Sequence, residues 1–166
     1  MTAITDREIV ITRVLEAPRA AVFAAWTEPE RVKRWWGPVG FTTPVANIDA
    51  RPGGTAHICM RSPEGQDYWS KGVYVEVVRP ERIVSTDSFA DAQGNVVDPT
   101  KYGLSATWPR EALITVILAE REGKTTLTLR HAVGSATESE ADMCRQGWES
   151  MLDRLPGELR DGGTAS

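Results

Sequence analysis

The sequence predicts an α+β fold, a seven-stranded curved antiparallel sheet wrapped around a long C-terminal helix, with two short helices after strand 1. Three observations predict it. Between Phe41 and Val133 apolar residues recur with period two and are cut at short intervals by turn signals, the pattern of antiparallel strands. From Thr137 onward a capping-box spacing precedes apolar residues at three- and four-residue steps, the pattern of an amphipathic helix. Ahead of both, a β-branched run gives way to two short helical segments marked by Pro18 and Pro29.

Residues 8–15 read Glu-Ile-Val-Ile-Thr-Arg-Val-Leu, a strand with at least one well-buried face. Pro18 stops it, and Ala20, Val22, Phe23, Ala24 and Trp26 make the apolar stripe of a short helix. Thr27 and Glu30 have capping-box spacing for a second helix, which runs to Trp35 and Trp36 before Gly37-Pro38 ends it. Strands are then expected over residues 43–50, 55–61, 68–78, 83–88, 112–121 and 125–133, joined by turns rich in Pro, Gly and Glu. The exception is 89–111, a long loop carrying Tyr102 and Trp108, of a length that usually signals function or mobility. The closing helix is expected over 138–160, about 34 Å, with Pro156 kinking it or ending its regular part early. Residues 1–161 read as a single domain and 162–166 as a flexible tail.

Composition narrows the function classes. The 166 residues suffice for one complete core, burying roughly 69% of the chain's surface. A net charge of -4 with no basic block argues against nucleic acid as a partner. The longest apolar run, 112–119, is far short of the ~20 residues of a membrane span, so no membrane is expected as a partner. Two cysteines 85 positions apart make no disulfide framework, and with no signal-peptide core the expected location is cytoplasmic. A seven-stranded sheet curling around a helix leaves a gap wherever facing side chains are too small to meet, and such gaps hold ligands.

Several stretches carry a family resemblance. These are APRAAVFAAWTEPERVKRWWGPVGF from Ala17, DARPGG from Asp49, GVYVEVVRPERIVSTDSF from Gly72, YG at Tyr102, WP at Trp108, KTTLTLRH from Lys124 and GW at Gly147. Together they resemble single-domain homologues of the activator of the ninety-kilodalton heat-shock chaperone's ATPase, within the START-like, or SRPBCC, superfamily. The resemblance implies the helix-grip fold and, as function, binding or sequestration of a small hydrophobic ligand between C-terminal helix and sheet, in a stress or secondary-metabolite response. The superfamily also implies two alternatives: a cyclase- or hydratase-like enzyme using cavity acid/base residues, and an interaction module that activates a chaperone. The chain departs from the family at Pro156, where relatives continue the helix, and it has no residues left for a separate chaperone-binding domain. A small hydrophobic molecule is therefore the expected partner, with a second copy of the chain and a chaperone as further candidates, and the residues favour a binder over an enzyme.

The candidate ligand-binding residues follow from strand faces and aromatic positions. On strand 125–133, His131 shares the inward face with Leu127, Leu129 and Val133, as a hydrogen-bonded core histidine or as a ligand contact. On strand 68–78 either face can be the inner one, so Trp69 and Tyr74 stand for the two possibilities, and an inward Tyr74 face would bring Glu76 beside His131. Trp35-Trp36 before Gly37-Pro38, and Trp108 in the long loop, are candidates for a cavity mouth, where flat rings cover an apolar ligand, and Tyr102 of the same loop joins Trp36 and Trp108 among the ligand-binding candidates. On the gripping helix Met143, Gly147 and Met151 complete the set, Gly147 either admitting a close strand or leaving room for ligand. His57, Cys59, His131 and Cys144 have the chemistry of zinc ligands but not the spacing, so neither metal nor cofactor is assigned. No Gly-x-Ser-x-Gly elbow or phosphate-cradling loop points to nucleophilic or nucleotide chemistry.

Overall fold

Seven strands form one antiparallel sheet in the computed structural model, which describes residues 7–162. They are β1 (Arg7–Leu15), β2 (Thr42–Ile48), β3 (Thr55–Arg61), β4 (Asp67–Val78), β5 (Arg82–Ala90), β6 (Ala112–Arg121) and β7 (Lys124–Gly134), in the order β1-β7-β6-β5-β4-β3-β2. Alternation does what the sequence implies: in β1, Ile9, Ile11 and Leu15 are buried while Val10 and Val14 face out. The β6–β7 turn is Glu122-Gly123, both with positive φ (54° and 77°), the two-residue hairpin geometry that favours glycine at its second position.

Among the described residues four α-helices cover the concave side: α1 (Arg19–Thr27), α2 (Pro29–Trp35), α3 (Glu138–Leu152) and α4 (Leu155–Gly162). One expectation is corrected here. Thr27 caps nothing ahead of it; its hydroxyl donates back to the Phe23 carbonyl, and Glu28 takes the position before α2. The long closing helix is interrupted near Pro156, as the sequence predicts, and runs as α3 and α4, because Pro156 has no N–H for the helical ladder and its ring crowds the preceding turn. At the second position of a new helix that missing donor costs nothing. The Thr137–Glu140 capping box at the start of α3 is formed as the spacing predicts. Gly162 closes α4, and the rest of the expected tail, 163–166, lies outside the described residues.

The main core lies beneath β1, β7 and β6, where Leu127, Leu129, Val133 and Val116 meet Phe23 and Trp26 of α1, Trp148, Met151 and Leu152 of α3, and Leu155 of α4. A smaller core of Val32, Ala46 and Ile58 seals α2 against β2 and β3. Between the two, in the middle of the sheet, packing is incomplete. Gly72 of β4 sits so close to β5 that a Cβ would stand 2.2 Å from the Thr86 carbonyl oxygen, so no side chain projects into the hollow there. Among the described residues no helix is long and apolar enough to cross a membrane.

Candidate ligand-binding site

The incomplete packing forms two adjoining chambers. The outer, about 230 Å³, is walled by Trp36 and Pro38 after α2, Met60 and Ser70, Asp87 and Phe89 of β5, Trp108 of the long loop, Ile114 and His131, and Cys144, Gly147, Trp148 and Met151 of α3. The inner, about 60 Å³, reaches from the same Trp36, Ser70, Asp87 and Ile114 to Tyr74, Ser85 and Ile58. Those four shared residues form the neck between the two.

The aromatic wall is built largely from α1, α2 and α3. Trp36 meets Trp26 and Trp148 edge-on at 5.7 and 5.8 Å, while Trp35 is fully buried with its indole N–H on the Ala25 carbonyl. The loop after α2 is tied chiefly by the Arg154 guanidinium, half-buried between α3 and α4, which donates to the carbonyls of Arg34, Trp36, Gly37, Pro38 and Phe41, while the Gly37 and Val39 N–H groups donate to Met151 Sδ and Ser150 Oγ. Trp108 stands edge-on to His131 at 6.4 Å. Its loop is fastened to the start of α3, where Glu140 completes the capping box and also accepts from the Ser105 N–H and hydroxyl at 2.7 and 2.8 Å. Those hydrogen bonds hold the Glu140 carboxyl below its ordinary range against a desolvation that pushes the other way.

Polar groups gather at the neck. His131 is only 3% exposed, and its Nδ1 accepts from the Trp148 indole N–H at 2.9 Å, with the Cys144 sulfur 3.5 Å away. Because an indole N–H can only donate, Nδ1 is unprotonated and the neutral ring carries its hydrogen on Nε2. That Nε2 is buried and has no hydrogen-bond partner among the described residues. Asp87 Oδ2 lies 3.8 Å from it, beyond hydrogen-bond reach. Burial pushes Asp87 up to about 6 and His131 down to about 4. Although 36% of the Asp87 side chain is accessible, it is accessible to the chambers it lines, which accounts for the upward direction. Burial likewise raises Tyr74 and Cys144 to about 12, so neither is ionised near neutrality.

The Asp87 and His131 shifts act oppositely on stability. As pH rises from about 4 to 6 the unfolded chain releases the Asp87 proton before the folded one, so this group's contribution falls with pH. The buried His131 is neutral while its unfolded counterpart is still charged, so its contribution rises between about 4 and 6.5. Relative to the wild type, the melting temperature of Asp87→Asn is expected to climb with pH through that window and that of His131→Gln to decline. Calorimetry across the window checks both signs, and equal slopes in the two variants contradict the assignment.

Several expected site residues lie elsewhere. Trp69 is on the opposite face of β4, stacked on His57 at 4.7 Å, because Ser70, Gly72 and Tyr74 take the concave side. Tyr74 lines the inner chamber, yet Glu76 does not follow it: two residues of β4 oppose one of β5 between Tyr74 and Glu76, and this bulge turns Glu76 outward onto Arg82. Tyr102 packs behind Phe89 at 5.1 Å with its hydroxyl on the Ala90 carbonyl, outside the chamber lining. Met143 is 64% exposed, one residue off the stripe of Cys144, Gly147, Trp148 and Met151. Of the four residues with zinc-ligand chemistry, His131 and Cys144 come together, and no cluster of three or more potential ligands occurs among the described residues. Asp87 went unrecognised, although its signal is present: it shares a strand face with Ile83, Ser85 and Phe89.

A family model described as Activator of Hsp90 ATPase homolog 1-like protein matches residues 16–160. A protein of known structure from Chromobacterium violaceum is 30% identical, with a TM-score of 0.76 over 92% of this chain and 96% of its own. A protein from Arthrobacter aurescens (21% identity, TM-score 0.80, 97% and 90% covered) and the AHSA1 protein from Silicibacter pomeroyi (24%, 0.75, 93% and 98%) share the fold. No curated protein matches. A helix-grip fold, a family model spanning most of the sequence and a relative similar along nearly its whole length lead to one conclusion: the chain belongs to the Activator of Hsp90 ATPase homolog 1-like family.

Proposed function

We propose that the protein binds a small, mainly apolar molecule in the outer chamber, between α3 and the concave face of the sheet. One observation carries this reading: α3 presents Gly147 to the chamber, where an added Cβ would meet nothing within 4 Å. Close packing therefore does not account for that glycine, and a helix-interior glycine costs about 0.5–1 kcal/mol relative to alanine. The START-like fold of this family often binds hydrophobic ligands, and a chamber of about 230 Å³ exceeds the ~150 Å³ cavity that accommodates benzene. Titration of the purified protein with naphthalene, following the tryptophan indole N–H resonances, tests it. Saturable shifts at Trp36, Trp108 and Trp148 are expected; their absence over the soluble range of the probe overturns the reading.

One observation favours a second reading, acid–base turnover of the bound molecule. Asp87 and His131 stand 3.8 Å apart with proton affinities displaced in opposite directions, the arrangement that separates an acid from a base. On this reading Asp87 takes the role that Glu76, turned outward, cannot fill.

A further inference from the structure

The neck between the chambers specifies the polar end of the ligand. His131 Nδ1 is committed to Trp148, so Nε2–H is a buried donor without an acceptor among the described residues. The Asp87 carboxylate accepts no hydrogen bond from any described residue, lines both chambers and brings Oδ2 to 3.8 Å from that Nε2. Neither chamber is lined by Lys or Arg. A bound group must accept from His131 and donate to Asp87 without bringing a charge, because a buried charge without a counterion is costly. A carboxylate ligand finds no cation there and meets another carboxylate. An ammonium group pairs with Asp87 but turns its hydrogens against the Nε2–H. A hydroxyl serves both partners, its oxygen accepting from Nε2–H and its proton going to Oδ2, and one oxygen can stand within hydrogen-bond distance of two atoms 3.8 Å apart.

The remainder of the ligand is set by walls and volume. Trp36, Phe89, Trp108 and Trp148 present flat apolar surfaces, and the outer chamber is about one and a half times the size that holds a single benzene ring. Beyond the neck the inner chamber, at about 60 Å³, has room only for a small substituent. We infer that the ligand class is a neutral hydroxylated aromatic of one or two fused rings, its hydroxyl seated between His131 Nε2 and Asp87 Oδ2. This rests on the ligand-binding reading given above.

The test compares 2-naphthol, naphthalene and 2-naphthoate at neutral pH on the full chain and on Asp87→Ala, with dissociation constants taken from the tryptophan indole N–H shifts. On the wild type 2-naphthol is expected to bind at least about tenfold more tightly than either of the others. In Asp87→Ala its advantage over naphthalene should shrink to about threefold or less. Because no described residue depends on Asp87 for a hydrogen bond, this variant is expected to fold, and a dispersed amide spectrum checks that it has. Naphthalene binding as tightly as 2-naphthol, 2-naphthoate binding more tightly than both, or an undiminished advantage in Asp87→Ala each overturns the hydroxyl assignment while leaving the binding reading in place. Failure of all three probes on the wild type overturns the binding reading, and the assignment with it.

Discussion

Replacing Gly147 with phenylalanine is expected to abolish binding of ring-sized molecules in a protein that stays folded. The new side chain would leave α3 in a direction where nothing stands within 4 Å of its Cβ and would enter a chamber of about 230 Å³. A benzyl group there occupies a volume similar to that of the ligand it excludes, so affinity for naphthalene or 2-naphthol should fall by about a hundredfold or more. Two terms favour folding: a better helix former than glycine, worth about 0.5 kcal/mol, and about 1.5–3 kcal/mol of apolar burial. Crowding against Trp108 or Trp148 works against them by about 1–3 kcal/mol. The melting temperature should stay within a few degrees of wild type, which distinguishes a filled site from a lost fold. Gly147→Ala serves as the control: it gains helix stability and keeps most of the chamber.

Arg154→Ala should be among the most destabilising single changes in the chain, at about 3–5 kcal/mol. Its guanidinium reaches five backbone carbonyls on the segment from Arg34 to Phe41, with the contacts to Trp36 and Gly37 at 3.0 and 2.9 Å. Hydrogen bonds from a charged donor contribute about 1.5–3 kcal/mol each, and although the Trp36 and Pro38 carbonyls keep the Thr43 hydroxyl and the Phe41 N–H, truncation takes the charged donor from the Gly37 and Phe41 carbonyls. Desolvation lowers the Arg154 pKa from its usual value, a sign that the environment, not bulk water, solvates the charge. Because the anchored segment carries Trp36 and Pro38 of the outer chamber, binding should weaken together with folding. Urea unfolding gives the free energy, and Arg154→Lys supplies a comparison: a single ammonium cannot spread across the same carbonyls, so it should recover only part of the loss. A change below about 1 kcal/mol for Arg154→Ala would contradict this account.

Period and capping made the architecture readable in advance. Strand faces follow alternation, and the Thr137–Glu140 pair marks the start of α3 to the residue. His131 was legible as inward-facing for the same reason. What escaped depends on geometry that no local pattern carries. The bulge between Tyr74 and Glu76 reverses the face of β4 halfway along, so a strict period of two carries Glu76 into the cavity when it is in fact outside. Trp69 was ambiguous because both faces of β4 carry large side chains, and only the position of β3, β5 and the loop at Asp91 decides which is inward. The role of Arg154 is set by contacts more than a hundred residues away in sequence, which composition and spacing do not encode. Asp87 shows the limit most plainly: its face could be read, but its value as a buried acid arises only when β5, β7 and α3 come together around it.

The position of β1 at one edge of the sheet also bears on how the chain finds its fold. Its only strand partner among the described residues is β7, so Leu15 pairs with Thr125 and Ile9 with His131, partners more than a hundred positions apart. Closing so large a loop before those contacts form is entropically costly, and chains dominated by such pairings fold in milliseconds to seconds. The β4–β5 and β6–β7 hairpins can form locally, which leaves docking of β1 onto β7 as a late event. Since His131 belongs to that seam and lines the outer chamber, the chamber wall is completed only when β1 arrives.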